Sequence, residues 1–180
     1  MVLTREPGGT AGAEAIRQLL LHPPEGQQWP PEAEALLFAA ARSDHVAKAI
    51  RPALSSGKWV VSDRFIDSSL AYQGAAGALG MEAVKTLHRI GSKGLLPDRT
   101  ILLQVTSGEA ARRLALRDRG QADAIGGRSH EYHARVAKAF AWLAEAEPAR
   151  FMIIDADGDA DHVHQQIVSA INTLAHEPAS

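Results

Sequence analysis

The segment Trp59-Val60-Val61-Ser62-Asp63-Arg64 decides the fold class of this 180-residue chain. The run Trp59–Ser62 predicts a buried strand, and the adjacent opposite charges after it lie where the strand ends. Similar runs predict three further strands, at Val2–Thr4, Thr100–Val105 and Phe151–Asp155. Because longer helical patterns separate these runs, the order predicts an α/β domain with a mostly parallel sheet.

Helical spacing of apolar residues predicts the elements between and after the strands. A first helix is ended by Pro23-Pro24, and a second begins at Pro31 and continues toward Leu54. Thr106 opens a capping-box spacing for a helix that ends at Gly120, and Ser129 is placed to cap the next one. Two other helices are predicted at 84–90 and at 163–174. We expect one domain over residues 1–180, with no repeats.

The composition is that of a globular protein with no targeting segment. Hydrophobic residues make up 46% of the chain, charged residues make up 22%, and cysteine is absent. No apolar run approaches the roughly 20 residues that span a bilayer, and Met1–Thr10 has no signal-peptide pattern, so we expect a cytoplasmic protein without membrane contact. A net charge of -2 argues against a nucleic-acid partner. Small anions remain possible ligands, because a few arginines in one cleft can bind them.

Polar side chains follow the first two strands, where parallel sheets build ligand sites. Arg5 to Thr10 offers an arginine, two glycines and a proline-fixed turn, which suits an anion but also suits a plain structural turn. Asp63 and Arg64 suit Mg²⁺ and a phosphate, with a structural ion pair as the alternative. The following segment, Asp67 to Gly74, is dense in hydrogen-bonding side chains and suits a small polar ligand.

Phe38 and Arg42 are four residues apart on the second predicted helix, so they lie on one face. An aromatic ring stacks on a nucleobase, and an arginine donates to its carbonyl oxygens. The alternative is a plain core phenylalanine.

Five arginines surround the glycine-containing segment 120–127 and predict a lid over about 117–130 that brings positive charge to a transferring phosphoryl group. A solvated helix end is the alternative. The five arginines are Arg112, Arg113, Arg117, Arg119 and Arg128. We expect the histidines, among them His45, His88, His130 and His133, to lie at the surface rather than to bind a metal.

Four blocks in this order resemble the bacterial thymidylate kinases. They are TREPGGT (4–10), LLFAAARSDH (36–45), SDRFIDSSLAYQG (62–74) and LLPDRTILLQV (95–105). The resemblance spans nearly the whole chain. It implies a P-loop kinase fold with a doubly wound parallel sheet, transfer of a phosphoryl group from ATP to dTMP with Mg²⁺, and a homodimer.

The resemblance also implies roles for individual residues. Arg5 and Arg64 would hold the dTMP phosphate, with Glu6 beside it, while Phe38 would stack on thymine and Arg42 would hydrogen-bond it. Other members of the pocket would be Arg17, Ser68, Ser69 and Gln73. Tyr72 would pack under the deoxyribose, and Asp63 would help to organise Mg²⁺. Arg117, Arg119 and Arg128 are the candidates for the catalytic lid arginine, because Asp123-Ala124-Ile125-Gly126 departs from the family's usual lid sequence.

The 180 residues contain no G-x-x-x-x-G-K-[ST] sequence. Gly57-Lys58 does not qualify, because Trp59 replaces the hydroxyl residue and Pro52 replaces the first glycine. Since the family has this motif just before TREPGGT, we expect that the first, central strand, the phosphate-binding loop and the first helix are missing. We therefore expect the isolated chain to be inactive.

Two alternatives remain open at this stage. One is a kinase for another nucleoside monophosphate, which the set Phe38, Arg42, Tyr72 and Gln73 disfavours because it suits thymine. The other is a nucleotide-binding or interaction protein that has lost catalysis.

Overall fold

The structure is a computed structural model that describes residues 1–24, 28–106, 108–110, 112–113 and 124–174. The chain divides into two compact units. The first unit comprises Met1–Leu96 and Ala122–Ala141, and the second comprises Pro97–Gln121 and Trp142–Ser180. Within the described residues, each unit contains one two-stranded parallel sheet.

The first unit is built on strands β1 (Val2–Arg5) and β2 (Val60–Asp63), which pair in parallel so that Arg5 lies beside Asp63. Its helices are α1 (Ala11–Leu21), α2 (Pro31–His45), α3 (Arg51–Ser55), α4 (Ile66–Ser69), α5 (Met81–Ser92) and the first part of α6 (His130–Ala146). Wide π-helical turns at Val46–Ile50 and Leu70–Ala76 continue α2 and α4.

The helix starts follow the local chemistry of the sequence. Thr10 caps α1, because its side chain accepts a hydrogen bond from the Ala13 amide at 3.2 Å, and Pro31 opens α2. Ser129 accepts from the Tyr132 amide at 3.2 Å, so the predicted cap of α6 is confirmed. The start of α6 then packs Tyr132 and Val136 against Ala71 in a buried cluster.

The second unit pairs β3 (Thr100–Gln104) in parallel with β4 (Phe151–Asp155) and ends with α7 (Ala160–Leu174). Thr106 accepts a weak hydrogen bond from the Glu109 amide at 3.4 Å, as the predicted cap requires. Asp157 binds the Thr106 amide at 3.0 Å and so takes the position that a capping-box glutamate would occupy. The predicted helix end at Gly120 lies outside the described residues.

The strand predictions are confirmed in position, but the predicted burial of the second strand is wrong. Trp59 is 60% exposed and Val61 is 46% exposed. Parallel strands are normally covered on both faces, and among the described residues β2 pairs with β1 alone. In the part of the chain that the structure describes, no helix is long and apolar enough to cross a membrane.

Candidate active site

The carboxyl ends of β1 and β2 bring the two predicted ligand segments together in the first unit. The Glu6 amide donates to the Asp63 carbonyl at 2.9 Å, and Arg5 is the register partner of Asp63. The loop from Glu6 to Thr10 therefore lies beside the Asp63-Arg64 pair, as the strand-end rule predicts.

A buried polar network extends from this loop to α2 and α4. Arg42 Nε donates to Glu6 Oε2 at 2.7 Å, and an Arg42 terminal nitrogen donates to Ser69 Oγ at 2.6 Å. The other Glu6 oxygen lies 3.1 Å from His45 Nδ1. All four side chains are buried, and charges in such a place are stable only when they are paired and hydrogen-bonded. The network therefore holds the Arg42 guanidinium in a fixed position.

The predicted surface role is wrong for two histidines, although His130 is exposed. His45 is fully buried, with Nε2 2.7 Å from Thr4 Oγ1. Its contacts are satisfied when Nδ1–H donates to Glu6 and the Thr4 hydroxyl donates to Nε2. His88 is also buried, with Nε2 2.7 Å from the Leu95 carbonyl oxygen, and this burial lowers its pKa.

The loop itself is held by α1. Arg5 forms an ion pair with Glu14 at 3.2 Å, and Arg17 donates to the Pro7 carbonyl at 2.9 Å. The Gly9 amide donates to Glu14 at 3.0 Å, and this bond together with Arg5 lowers the pKa of the Glu14 carboxyl. Gly9 has φ +86° and no room for a side chain. Its backbone thus passes close to the Thr4–His45 pair.

Arg64 has an unusual backbone conformation directly after β2. Its φ is +68°, which is rare for a residue with a long side chain. Ser62 Oγ donates to the Arg64 carbonyl at 2.8 Å, and the guanidinium lies 5.1 Å from the centre of the Tyr72 ring. A strained backbone at a residue whose exposed cation lies over an aromatic ring is typical of a functional position.

A cavity of about 440 Å³ opens at the start of α2 and α6. Its described lining residues are Gln28, Trp29, Pro31, Glu34, Gln73, Gly77, Gly127, Arg128, Ser129, Tyr132 and Arg135.

Glu34 is the buried centre of this cavity wall. It accepts a hydrogen bond from Gln73 Nε2 at 2.8 Å and forms an ion pair with Arg128. Arg128 also donates to the Tyr132 hydroxyl at 2.5 Å, which in turn donates to the Tyr72 carbonyl at 2.8 Å. Burial raises the pKa of Tyr132, so this hydroxyl keeps its proton.

Comparison with known proteins identifies the family. A family model described as thymidylate kinase matches residues 1–167. The chain belongs to the thymidylate kinase family. The thymidylate kinase of Rhizorhabdus wittichii is 52% identical over 176 residues, which cover 97% of this chain and 83% of that protein. That of Bifidobacterium longum is 45% identical over 177 residues, covering 97% and 84%.

A solved structure supports the fold assignment. The crystal structure of thymidylate kinase from Ehrlichia chaffeensis aligns with a TM-score of 0.71 and 30% identity, covering 94% of this chain and 79% of that one. The chain is thus an α/β protein of thymidylate kinase type. Its family membership makes it a dTMP kinase, a phosphotransferase for which ATP is the co-substrate.

The structure brings seven of the fourteen residues predicted for a thymidylate kinase site into three contacts. Glu6, Arg42 and Ser69 form one, Arg64 and Tyr72 form the second, and Gln73 and Arg128 meet at Glu34. Phe38 and Ser68 are half-buried on the same helices.

Two pairs of the five arginines predicted around the lid do not join these contacts. Arg117 and Arg119 lie outside the described residues, as does the lid segment 117–123. Arg112 and Arg113, in the second unit, pair with Glu109 and lower its pKa to about 2, which fits the solvated helix interpretation.

Sequence reasoning missed Glu34 and the buried role of His45. Both have a signal in the spacing of α2, because Glu34 lies four residues before Phe38 and eight before Arg42, while His45 lies three residues after Arg42. A single helical face thus presents a carboxylate, a ring, a guanidinium and an imidazole.

Proposed function

We propose that the first unit binds dTMP beside the ends of β1 and β2, for transfer of the ATP γ-phosphoryl group that gives dTDP and ADP. The observation that supports this proposal most is the Arg42 guanidinium, which is buried and fixed by Glu6 and Ser69. A buried cation held by two partners recognises a ligand carbonyl without further ordering, so little conformational entropy is lost on binding.

Each remaining residue has a role that its position suits. Phe38 stacks on thymine one helical turn from Arg42, and Ser68, Ser69 and Gln73 complete the base pocket. Tyr72 lies under the deoxyribose, where its ring disfavours a ribose 2′-hydroxyl. Arg5 and Arg64 provide positive charge for the phosphate, with Glu6 beside it, and Arg17 belongs to the nucleotide pocket.

Asp63 fits a magnesium site of the kind that phosphoryl-transfer enzymes use. It is exposed at the end of β2, and Mg²⁺ typically takes one or two carboxylates together with phosphate oxygens and water. Among the described residues, no three acidic or histidine side chains converge on a metal site, and such a site does not require them. When bound, Mg²⁺ would neutralise charge that develops on the phosphoryl oxygens.

In this proposal, one of Arg117, Arg119 and Arg128 is the lid arginine that acts on the transferring phosphoryl group. Arg128 reaches Glu34 in the described structure, so its action on phosphate would require release from that ion pair. We further propose, from family membership, one kinase domain, a homodimer and a cytoplasmic location.

A second candidate function is dTMP binding without turnover. It is favoured by the absence of a phosphate-cradling G-x-x-x-x-G-K-[ST] sequence from the 180 residues.

Two measurements on the same preparation test these proposals. Calorimetric titration with dTMP should show saturable binding. The affinity for the ribose analogue should be lower, because the Tyr72 ring disfavours a 2′-hydroxyl. A coupled assay for ADP with dTMP and Mg-ATP then separates the two functions. Saturable binding with no turnover supports the second candidate, turnover supports the first, and the absence of dTMP binding contradicts both.

A further inference from the structure

We propose that Glu34 sets the base specificity of the pocket by fixing the orientation of the Gln73 side-chain amide. This inference rests on the proposed dTMP site and adds a positioning residue to it. Glu34 contacts Gln73 and Arg128 but is not itself required to touch the base.

The contact between the two side chains has one chemically sensible orientation. Both are buried, with Glu34 6% and Gln73 4% exposed, and the amide nitrogen of Gln73 lies 2.8 Å from Glu34 Oε1. A carboxylate paired with a cation only accepts hydrogen bonds, and Arg128 forms an ion pair with the other oxygen of Glu34. The NH₂ group of Gln73 must therefore face Glu34, and its carbonyl oxygen must face away.

The carbonyl oxygen of Gln73 is the group that remains for a ligand. Within the described residues, no hydrogen bond reaches this oxygen. Among the same residues, His88 Nδ1 is the one fully buried side-chain polar atom without a partner. The Gln73 oxygen, which also has no partner, is therefore not fully buried. Gln73 lines the 440 Å³ cavity. Its carbonyl oxygen is thus an accessible acceptor in a wall that is otherwise tied by hydrogen bonds.

An acceptor at this position selects between pyrimidine bases. Thymine and uracil have a donor at N3, whereas N3 of cytosine is itself an acceptor and would face the Gln73 oxygen without a proton between them. A site built to accept from an N–H rejects an analogue that lacks it, because the buried acceptor is then unpaired. The 5-methyl group is not read by this contact, so dTMP and dUMP should be treated alike by it.

The test is Glu34→Gln, with calorimetric affinities for dTMP, dUMP and dCMP on the 180-residue chain. A glutamine at position 34 offers both a donor and an acceptor, so the Gln73 amide can adopt either of its two orientations. We expect the preference for dTMP over dCMP to fall by about tenfold, while the preference for dTMP over dUMP is unchanged. A structural defect would instead weaken all three ligands in parallel, and that result would overturn the proposal.

Glu32→Gln is the matched control, because it makes the same substitution at an exposed residue of α2 that does not line the cavity, and it leaves the contact between Glu34 and Gln73 in place. Its preference for dTMP over dCMP should match that of the parent chain, and an equal fall in both variants would also overturn the proposal.

A reciprocal exchange decides the matter if Glu34→Gln does not fold. In the double variant Glu34→Gln with Gln73→Glu, the amide and the carboxylate change places, and a carboxylate oxygen faces the base. We expect the dTMP preference to return to within about threefold of the parent value. A folded double variant without that preference contradicts the proposal. Failure of the parent chain to bind dTMP at all would instead contradict the proposed function.

Discussion

The two units have similar sheets but differ in where they place charge. Each contains a pair of parallel strands with exposed apolar residues, such as Leu3 at 71% in the first unit and Ile153 at 53% in the second. In the first unit, Glu6, Glu34 and Arg42 are charged and buried. In the second, Glu109 pairs with two exposed arginines, and Glu147 pairs with Arg150, both of which are half-buried. Because buried charge is costly, its concentration in the first unit supports the proposal that this unit is the functional region.

Among the substitutions that test this contrast, Glu6→Ala should cause the largest loss of stability. The change leaves Arg42 buried without its carboxylate, and removal of one partner of a buried pair typically costs about 3–5 kcal/mol. Urea unfolding should show a loss of that size. Glu109→Ala in the second unit is the control, and its midpoint should match that of the parent chain because both of its arginines are exposed. Equal losses would show that the two units do not differ in this respect.

Arg64→Asn separates function from stability within the first unit. Asparagine tolerates φ +68°, so the fold should be retained, while the loss of the guanidinium should weaken dTMP binding by about 100-fold or more. Arg64→Gly should give the same affinity, since it removes the same charge and relieves the same strain. An affinity within about threefold of the parent value in both variants would remove Arg64 from the phosphate site.

Gly9→Ala tests how closely the loop packs on the buried network. A Cβ at this position would lie 2.4 Å from Thr4 Oγ1 and 2.5 Å from His45 Nε2. Gly94→Ala is the control, because Gly94 also has positive φ but nothing lies within 4 Å of its added Cβ. Both variants should lose about 1–2 kcal/mol from the backbone conformation, and Gly9→Ala should lose a further ~1–3 kcal/mol from overpacking. Equal losses would mean that the loop does not depend on this contact.

The sequence predicted the regular elements well, because their causes are local. Helical spacing and the cap at Ser129 need only neighbouring residues, and the strand positions follow from short β-branched runs. The contacts of Glu34 and His45 could not be predicted in the same way. Glu34 meets Gln73 at a separation of 39 residues, and His45 meets Thr4 at 41. Their spacing places both residues on the α2 face of Phe38 and Arg42, but it does not identify a partner so distant in the sequence.

The residues proposed to bind dTMP show the same difference between local and long-range causes. Arg42 and Ser69 were predicted from a family resemblance, and the structure joins them by a hydrogen bond across 27 residues. The resemblance implies that Arg5 holds the phosphate and that Arg17 belongs to the nucleotide pocket, but both also hold their own loop through Glu14 and Pro7. Residue type and spacing therefore indicated the chemistry of the site, while its internal support required the packed fold.

Burial of His88 adds a smaller, pH-dependent effect in the first unit. Desolvation lowers its folded-state pKa below 6.5, so at higher pH both states hold a neutral ring and the fold keeps its full stability. As the pH falls below 6.5, the unfolded chain binds a proton that the folded chain resists, so the free energy of unfolding decreases. His88→Gln should reduce this decrease between pH 7.5 and 5.5, measured by urea unfolding. The exposed His164→Gln serves as control, and an unchanged slope in the His88 variant would contradict the account.

Hydrogen–deuterium exchange with and without dTMP tests most directly the claim that the first unit is the functional region. Binding at the ends of β1 and β2 should slow exchange of backbone amides in residues 4–10, 34–45 and 62–76. The strands of the second unit, 100–104 and 151–155, should exchange at the same rates with and without the nucleotide. Protection confined to the second unit, or no change in the first unit at saturating dTMP, would contradict the assignment of the site.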